Sequence, residues 1–156
     1  MRAVVFVTDD EQAIRTAIVK RLTRQGHRAA GYESGEVLLD ALQHDLPDLV
    51  LLDLKMPGLS GLDTLKRVLQ LAPSAMVIML TAYGTVQDAV EAMKLGAYDF
   101  LIKSVDLESI DPVVARVLDV VSLRRRLEAE LEHRDSQYQL SHLVAQSHVM
   151  KQLLEQ

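Results

Sequence analysis

The sequence predicts a doubly wound α/β fold, in which a five-stranded parallel sheet lies between two layers of helices and a C-terminal helical extension follows. Short, almost wholly apolar segments alternate with segments whose apolar residues recur every three or four positions. Continuous apolar runs are typical of strands covered on both faces, and the longer period is typical of helices. Five such units in series favour the strand order 2-1-3-4-5, with the topological switch point between strands 1 and 3.

Three of the predicted strands are continuous apolar runs, and two are weaker candidates of mixed composition. The strong runs are "AVVFVT", "DLVLLD" and "AMVIML", and the weaker ones are "RAAGY" and "YDFLI". In chain order, the five predicted strands cover residues 3–8, 28–32, 48–53, 75–80 and 98–102.

Helices are predicted between the strands from apolar periodicity and from residues that favour helix ends. Ser34, Ser60 and Thr85 can cap helices 2, 3 and 4, and Gly26 and Gly96 can end helices 1 and 4. The predicted apolar positions are Ile14, Ile18 and Leu22 in helix 1, Val37, Leu38 and Leu42 in helix 2, Leu65, Val68 and Leu69 in helix 3, and Ala89 and Met93 in helix 4.

The start of the fifth helix is left open between two residues. Asp111 can be the cap, which places Pro112 in the first turn, where proline is tolerated. Alternatively, the helix begins at Asp106, and Pro112 then introduces strain.

The composition of the 156 residues argues against several classes of protein. The chain has no cysteine, which excludes a disulfide framework and a thiolate metal site. A net charge of −5 argues against nucleic-acid binding by this chain alone. Neither a signal segment nor an apolar run of membrane-spanning length is present, so a cytoplasmic protein without membrane contact is expected.

Carboxylates follow strands 1 and 3, the two strands that flank the predicted switch point. Asp9 and Asp10 follow strand 1, and Asp53 ends strand 3. Taken singly, Asp10 is more often a helix cap and Asp53 an ordinary turn residue. Together they would repel one another unless a hard divalent cation lies among them, and oxygen ligands without sulfur favour Mg²⁺. The backbone carbonyl of Lys55 is predicted to complete the metal shell.

Strands 4 and 5 end in a hydroxyl and an ammonium group, Thr81 and Lys103. Singly, a threonine there is more often a helix cap and a lysine more often a solvated charge. As a set with the carboxylates at one edge of the sheet, they suit a phosphoryl group. Mg²⁺ and Lys103 would neutralise the phosphoryl oxygens, so that Asp53 can act as a carboxylate nucleophile and form an acyl phosphate. The small residue Ala82 leaves an opening for the phosphodonor.

These motifs resemble the response-regulator receiver domain of two-component signalling, which has a flavodoxin-like fold. The resemblance rests on "DDE" at 9–11, "LVLLDLKMPGLSG" at 49–61, "TAYG" at 81–84 and "GAYDFLIK" at 96–103, and it covers roughly residues 1–120. It implies a histidine kinase as the phosphodonor and Mg²⁺ as the cofactor. It also implies roles for individual residues: Asp9 and Asp10 as acidic Mg²⁺ residues, Asp53 as the phosphoacceptor, Thr81 as the hydroxyl that follows the phosphoryl group, and Lys103 as the partnering cation.

The resemblance further implies a conformational switch at Thr81 and Phe100. A phosphoryl dianion would draw Thr81 inward and vacate space that the Phe100 ring fills, which would reshape the surface of helix 4, strand 5 and helix 5. From the residues alone, Phe100 is interpreted as an ordinary core aromatic. Tyr83 is expected to screen the acyl phosphate from the attacking water.

Two residues depart from the pattern of the family. Ser104 occupies the position after the lysine, where proline in a cis bond is typical. A non-proline cis bond costs about 2.5–4 kcal/mol, so the Lys103–Ser104 peptide is predicted to be trans, or the loop to be strained if it is cis. Thr8 replaces the aliphatic residue that usually precedes the acidic pair.

The chain changes character after residue 120. Val113, Val117, Val120, Leu127 and Leu131 are spaced by fours and threes, interrupted by Arg124, which favours a coiled coil over a single solvated helix. The last stretch, "LVAQSHVMKQLLEQ", resembles the opening of the AAA+ ATPase domain of sigma-54-dependent transcription activators. The predicted organisation is therefore a receiver domain at 1–120, a helical linker at 121–140 and the truncated start of an AAA+ domain at 141–156.

This resemblance implies an N-terminal regulatory fragment that controls assembly of the AAA+ domain. The chain has no Walker A loop, so it cannot hydrolyse ATP. DNA is expected to be contacted only through domains absent from this chain. A homodimer is expected through the linker helix, through the surface of helix 4, strand 5 and helix 5, or through both.

Two other functions fit part of the pattern. A haloacid-dehalogenase-like phosphatase also uses an aspartate nucleophile and Mg²⁺, but "TDDE" does not supply the D-x-D motif of that family. The alternative is a pseudo-receiver, an interaction module that phosphorylation does not regulate, and Ser104 keeps this possibility open.

Overall fold

The computed structural model describes residues 2–82, 84–103 and 106–154, with side chains as far as Ala145. The chain forms two compact units, Met1–Asp119 and Val120–Gln156. No helix in this part of the chain combines the length and apolar character that crossing a membrane requires.

The first unit contains the predicted five-stranded sheet. Its strands are β1 (Val4–Thr8), β2 (Arg28–Tyr32), β3 (Leu49–Leu52), β4 (Met76–Thr81) and β5 (Asp99–Ile102). They are all parallel and lie in the order β2-β1-β3-β4-β5, which confirms the predicted topology. Every residue of β3 and β4 is buried, whereas the two weaker candidates β2 and β5 are the edge strands. Their mixed composition follows because an edge strand is only partly covered.

Four helices connect the strands: α1 (Gln12–Arg24), α2 (Gly35–Ala41), α3 (Gly61–Leu71) and α4 (Val86–Leu95). The predicted caps of α2, α3 and α4 are confirmed. Ser34 and Ser60 accept hydrogen bonds from the third helical N–H, both at 3.2 Å, and Thr85 forms a reciprocal capping box with Asp88. Gly96 ends α4 with φ 112°, a conformation that side chains other than glycine rarely adopt.

The fifth helix begins in a way that combines the two predicted alternatives. Asp106 caps a short 3₁₀ turn, Leu107–Ile110, and the α-helix α5 (Asp111–Leu154) continues from it. Pro112 therefore lies in the first α-helical turn. Backbone N–H groups have no intrahelical acceptor there, so proline costs the helix no hydrogen bond.

The predicted inner faces are correct for α1 and α3 and partly wrong for α2 and α4. Val37 of α2 is 41% exposed, and Met93 of α4 is 46% exposed. Each is next to a fully buried residue, Leu38 and Ala92, and one helical step of about 100° turns it away from the sheet. Both helices therefore bury a narrower stripe than their apolar residues suggest.

The described residues of the second unit, Val120–Gln156, form the later part of α5, which ends at Leu154. Leu123, Leu127 and Leu131 are 66%, 56% and 52% exposed along it. Val117, which belongs to the predicted seam, is fully buried within the first unit. The part of the seam that is open to another helix therefore begins after that residue.

Candidate functional site

The carboxyl ends of β1 and β3 bring the predicted carboxylates together. Thr8 pairs with Leu52 in the sheet, and the N–H of Asp53 donates a 3.0 Å hydrogen bond to the Thr8 carbonyl, so the residues that follow both strands are neighbours. Asp9, Asp10 and Asp53 each offer an oxygen that lies within 4.8 Å of the other two. Asp9 and Asp53 are buried, at 2% and 6% exposure, whereas Asp10 is exposed.

Lys103 lies among these carboxylates. Its Nζ forms an ion pair with Oδ2 of Asp9 and lies 3.4 Å from Oδ2 of Asp53, and its side chain is only 8% exposed. The lysine is held there because its backbone N–H donates a 2.7 Å hydrogen bond to the carbonyl of Thr81 on the adjacent strand. The ammonium group therefore links the ends of β5, β1 and β3.

Burial and charge shift the acid–base behaviour of the site. Burial, aided by the charge of Asp9, raises the pKa of Asp53 to about 6, although Lys103 and the backbone N–H of Lys55 oppose the rise. Burial alone would lower the pKa of Lys103, but its hydrogen bond to Asp9 and the charge of Asp53 hold it above the ordinary value. The cluster thus contains more negative charge than one lysine can neutralise.

The donor set fits a hard divalent cation. It contains only oxygen ligands from three converging carboxylates, and two of them are buried, where a metal would offset their desolvation. Lys55 directs its N–H to the Asp53 carboxylate, and its carbonyl as a metal ligand stays a prediction.

Thr81 and Phe100 lie on the neighbouring strands β4 and β5. Thr81 is 1% exposed, and Phe100 is half-buried and packs against the core. A Cβ placed on Gly84 would lie 2.6 Å from Cζ of Phe100 and 3.0 Å from Cγ2 of Thr81. The ring, the threonine methyl group and the glycine therefore share one small volume.

The residues of this site coincide with a family pattern. The model of the response regulator receiver domain matches residues 5–115. The chain belongs to this family. Receiver domains are phosphoacceptor switches rather than enzymes that turn over a separate substrate, and they bind Mg²⁺ at an acidic cluster like this one.

Two relatives with similar sequences are longer than this chain. It is 37% identical over 117 residues to the DNA-binding transcriptional regulator NtrC of Klebsiella pneumoniae, covering 75% of this chain and 25% of that protein. It is 30% identical over 146 residues to the regulatory protein AtoC of Escherichia coli K12, covering 94% of this chain and 32% of that protein. The chain thus spans about a quarter to a third of these relatives.

A solved structure shows the same fold. The crystal structure of NtrX from Brucella abortus in complex with ATP aligns with a TM-score of 0.75 and 32% identity, over 82% of this chain and 29% of that one.

Sequence reasoning missed one residue that holds the receiver's acidic pair in place. Nη1 of Arg15 donates a 2.7 Å hydrogen bond to the backbone carbonyl of Asp9, and the N–H of Glu11 donates to the Asp9 carboxylate at 2.9 Å. Gly31 makes room for the arginine, because a Cβ there would lie 2.9 Å from Cγ of Arg15. The only signal in the sequence is an arginine six positions after Asp9, in the first turn of the predicted helix 1.

Two predictions about the receiver fall outside the described residues. They concern the trans Lys103–Ser104 peptide and the role of Tyr83, and both stay predictions. Thr8, in contrast, is described: it is 1% exposed, and its Oγ1 is a buried side-chain oxygen without a hydrogen-bond partner among the residues the structure describes.

Proposed function

We propose that Asp53 accepts a phosphoryl group from a histidine kinase. The observation that carries this proposal is the convergence of Asp9, Asp10 and Asp53 with the buried Lys103 at the switch point of the sheet. Asp9, Asp10, the Asp53 carboxylate and the Lys55 carbonyl would hold Mg²⁺. This ion supplies neutralisation of the phosphoryl oxygens when it is bound.

The transfer proceeds in one displacement at phosphorus. An oxygen of Asp53 attacks the phosphoryl group, the bond from phosphorus to the kinase histidine breaks, and the electron pair stays on the imidazole nitrogen. Lys103 pairs with a phosphoryl oxygen, and the Thr81 hydroxyl donates a hydrogen bond to another. The product is an aspartyl phosphate, which the domain also hydrolyses, and the small residue Ala82 leaves the opening for the phosphodonor.

Phosphorylation then changes the surface of the domain. Thr81 moves toward the new dianion, and Phe100 follows into the space beside Gly84, so the α4, β5 and α5 surface is reshaped. Apolar side chains on α4 and β5 are ready for such a role: Val86 is 82%, Val90 48%, Met93 46% and Ile102 57% exposed.

In the full-length protein, we propose that this receiver regulates an AAA+ transcription activator in the cytoplasm. The similarity to AtoC extends over 146 residues, beyond the receiver and into the linker, which supports a common organisation. The proposed organisation is a receiver at 1–120, a linker at 121–140 and the start of the AAA+ domain at 141–156. The linker, the α4, β5 and α5 surface, or both, form a homodimer, and DNA is contacted through other domains.

Mass spectrometry of the intact protein tests the phosphoacceptor. Incubation with acetyl phosphate and Mg²⁺ should add one phosphoryl group to the wild type and to the control Asp40→Ala, which alters an exposed carboxylate on α2. Asp53→Ala should gain none. Beryllofluoride binding with Mg²⁺ tests the alternative, because a pseudo-receiver that phosphorylation does not regulate should bind none. Modification of Asp53→Ala to the wild-type level would contradict the proposal.

A further inference from the structure

The loop between β3 and α3, residues 53–60, is held in its middle by a side chain from α2. The N–H of Leu59 donates a 2.7 Å hydrogen bond to Oε1 of Glu36. The same oxygen would lie 2.7 Å from a Cβ placed on Gly58, whose φ of 80° already favours glycine. The Glu36 carboxylate therefore lies directly against the backbone of Gly58 and Leu59.

The two ends of this loop are fixed to the site by backbone contacts. Near its start, the N–H of Lys55 donates a hydrogen bond to the Asp53 carboxylate. At its end, the N–H of Gly61 donates to the Leu54 carbonyl at 2.9 Å, and a Cβ on Gly61 would lie 2.3 Å from the Asp53 carbonyl. Between these ends, Met56 packs into the hydrophobic core, and Glu36 ties the backbone of Gly58 and Leu59 to α2.

Glu36 is suited to hold a backbone N–H at neutral pH. It lies in the first turn of α2, where the helix dipole and free N–H groups stabilise a negative charge. Its own backbone N–H and that of Leu59 hold its pKa below the ordinary value. The side chain is exposed and contributes nothing to the core, so its contact serves the loop rather than the packing of the sheet.

We propose that Glu36 is a positioning residue for phosphoryl transfer: it orders the β3–α3 loop and thereby sets Lys55 against Asp53. The inference rests on the proposed function of Asp53. Without the hydrogen bond to Glu36, the loop samples conformations in which Lys55 is displaced, and only the ordered fraction binds Mg²⁺ in the geometry that transfer requires. The apparent Mg²⁺ affinity falls by that fraction.

Two variants and a control separate this role from a general effect of charge. Glu36→Ala removes the acceptor, whereas Glu36→Gln keeps an oxygen at the same place and loses only the charge. Asp40→Ala removes another exposed carboxylate from the same helix. Amide hydrogen exchange of Leu59 and Lys55 in the metal-free protein reports loop order, and the Mg²⁺ concentration for half-maximal phosphorylation by acetyl phosphate reports the site.

We expect faster exchange at Leu59 in Glu36→Ala and an increase of about three- to tenfold in the half-maximal Mg²⁺ concentration. The phosphorylation rate at saturating Mg²⁺ should stay close to that of the wild type, because excess metal selects the ordered loop. Glu36→Gln should restore both measurements, and Asp40→Ala should leave both unchanged.

The outcomes distinguish this inference from the proposed function. If the wild type is phosphorylated and Glu36→Ala matches it in Leu59 exchange and Mg²⁺ dependence, Glu36 does not position the loop. The same conclusion follows if Asp40→Ala raises the Mg²⁺ requirement as much, because the effect would then come from charge. If the wild type is not phosphorylated at all, the proposed function is wrong and the inference falls with it.

Discussion

Asp53→Asn should stabilise the metal-free protein, although it removes the proposed phosphoacceptor. Burial raises the pKa of Asp53 from 3.8 to about 6, so the folded state binds this proton more tightly than the unfolded state does. Above both values the ionised carboxylate therefore destabilises the fold, by about 3 kcal/mol at most, since each pKa unit corresponds to 1.36 kcal/mol. Asparagine keeps the shape and carries no charge, so it removes this penalty.

The stabilisation by Asp53→Asn should depend on pH in one direction, because the pKa of Asp53 is raised on folding. The stabilisation by Asp53→Asn should be fully present above pH 6, shrink as the pH falls through about 6, and vanish near 3.8, where the wild-type carboxyl is protonated in both states. Urea unfolding in EDTA, followed by circular dichroism between pH 4 and pH 8, measures it. The control Asp40→Asn removes an exposed charge and should show no such trend.

The reasoning is refuted if Asp53→Asn equals the wild type at pH 8 in EDTA, or if its advantage persists unchanged at pH 4. Mg²⁺ adds an internal check. Millimolar Mg²⁺ should stabilise the wild type and leave the variant almost unchanged, because the variant lacks one of the three carboxylates that converge in this site.

Three further predictions concern neighbouring residues. Thr8→Val should raise the unfolding free energy by about 1–2 kcal/mol because it removes a buried hydroxyl that has no partner among the described residues. Thr64→Val should lower the unfolding free energy, because that hydroxyl donates a 2.7 Å hydrogen bond to the Ser60 carbonyl. Urea unfolding measures both changes, and equal signs would contradict this explanation. Asp10→Asn should leave metal-free stability nearly unchanged because Asp10 is exposed, and it should abolish the Mg²⁺-induced rise in melting temperature because Asp10 belongs to the carboxylate cluster. A rise equal to that of the wild type would exclude Asp10 as a ligand. Gly84→Ala should displace the Phe100 ring and lower the free energy of unfolding by about 1–3 kcal/mol. Aromatic NMR shifts report the ring position and urea unfolding reports the stability. An unmoved ring would show that the backbone moves instead.

The architecture was predictable because the buried strands of a parallel sheet have a distinctive apolar sequence pattern. β3 and β4 are buried on both faces, and their uninterrupted apolar runs follow from that. The site was predictable for a related reason. Lys103 and Asp9 are 94 positions apart in the chain, but the strand order places the ends of their strands at one edge of the sheet. The strand order was therefore enough to predict that Lys103 and Asp9 lie close together.

The exposed faces of short helices and the side-chain contacts to backbone groups have weaker sequence patterns. Val37 and Met93 are apolar but exposed, because the narrow buried stripe of a short helix excludes a residue one step away from its centre. Arg15 and Glu36 were missed because each binds a backbone group, and a backbone group is the same for every residue type. Only the path of the loop determines which N–H or carbonyl is available, and neither periodicity nor composition describes that path.

The balance of charge at the sheet edge would allow the proposed site both to bind a metal and to act as a switch. Three carboxylates and one ammonium group leave two negative charges uncompensated, which a divalent cation neutralises. Phosphorylation replaces the single charge of Asp53 with a dianion, so the balanced site again becomes negative. In the proposed switch, the Thr81 hydroxyl would turn toward this dianion as a hydrogen-bond donor, and its movement would open the volume that Thr81 shares with Phe100 and Gly84. If the proposed switch operates, the coupling of phosphate to the surface of the domain depends on that shared volume. A variant that fills it, such as Gly84→Ala, should then be phosphorylated at Asp53 while failing to reshape the α4, β5 and α5 surface.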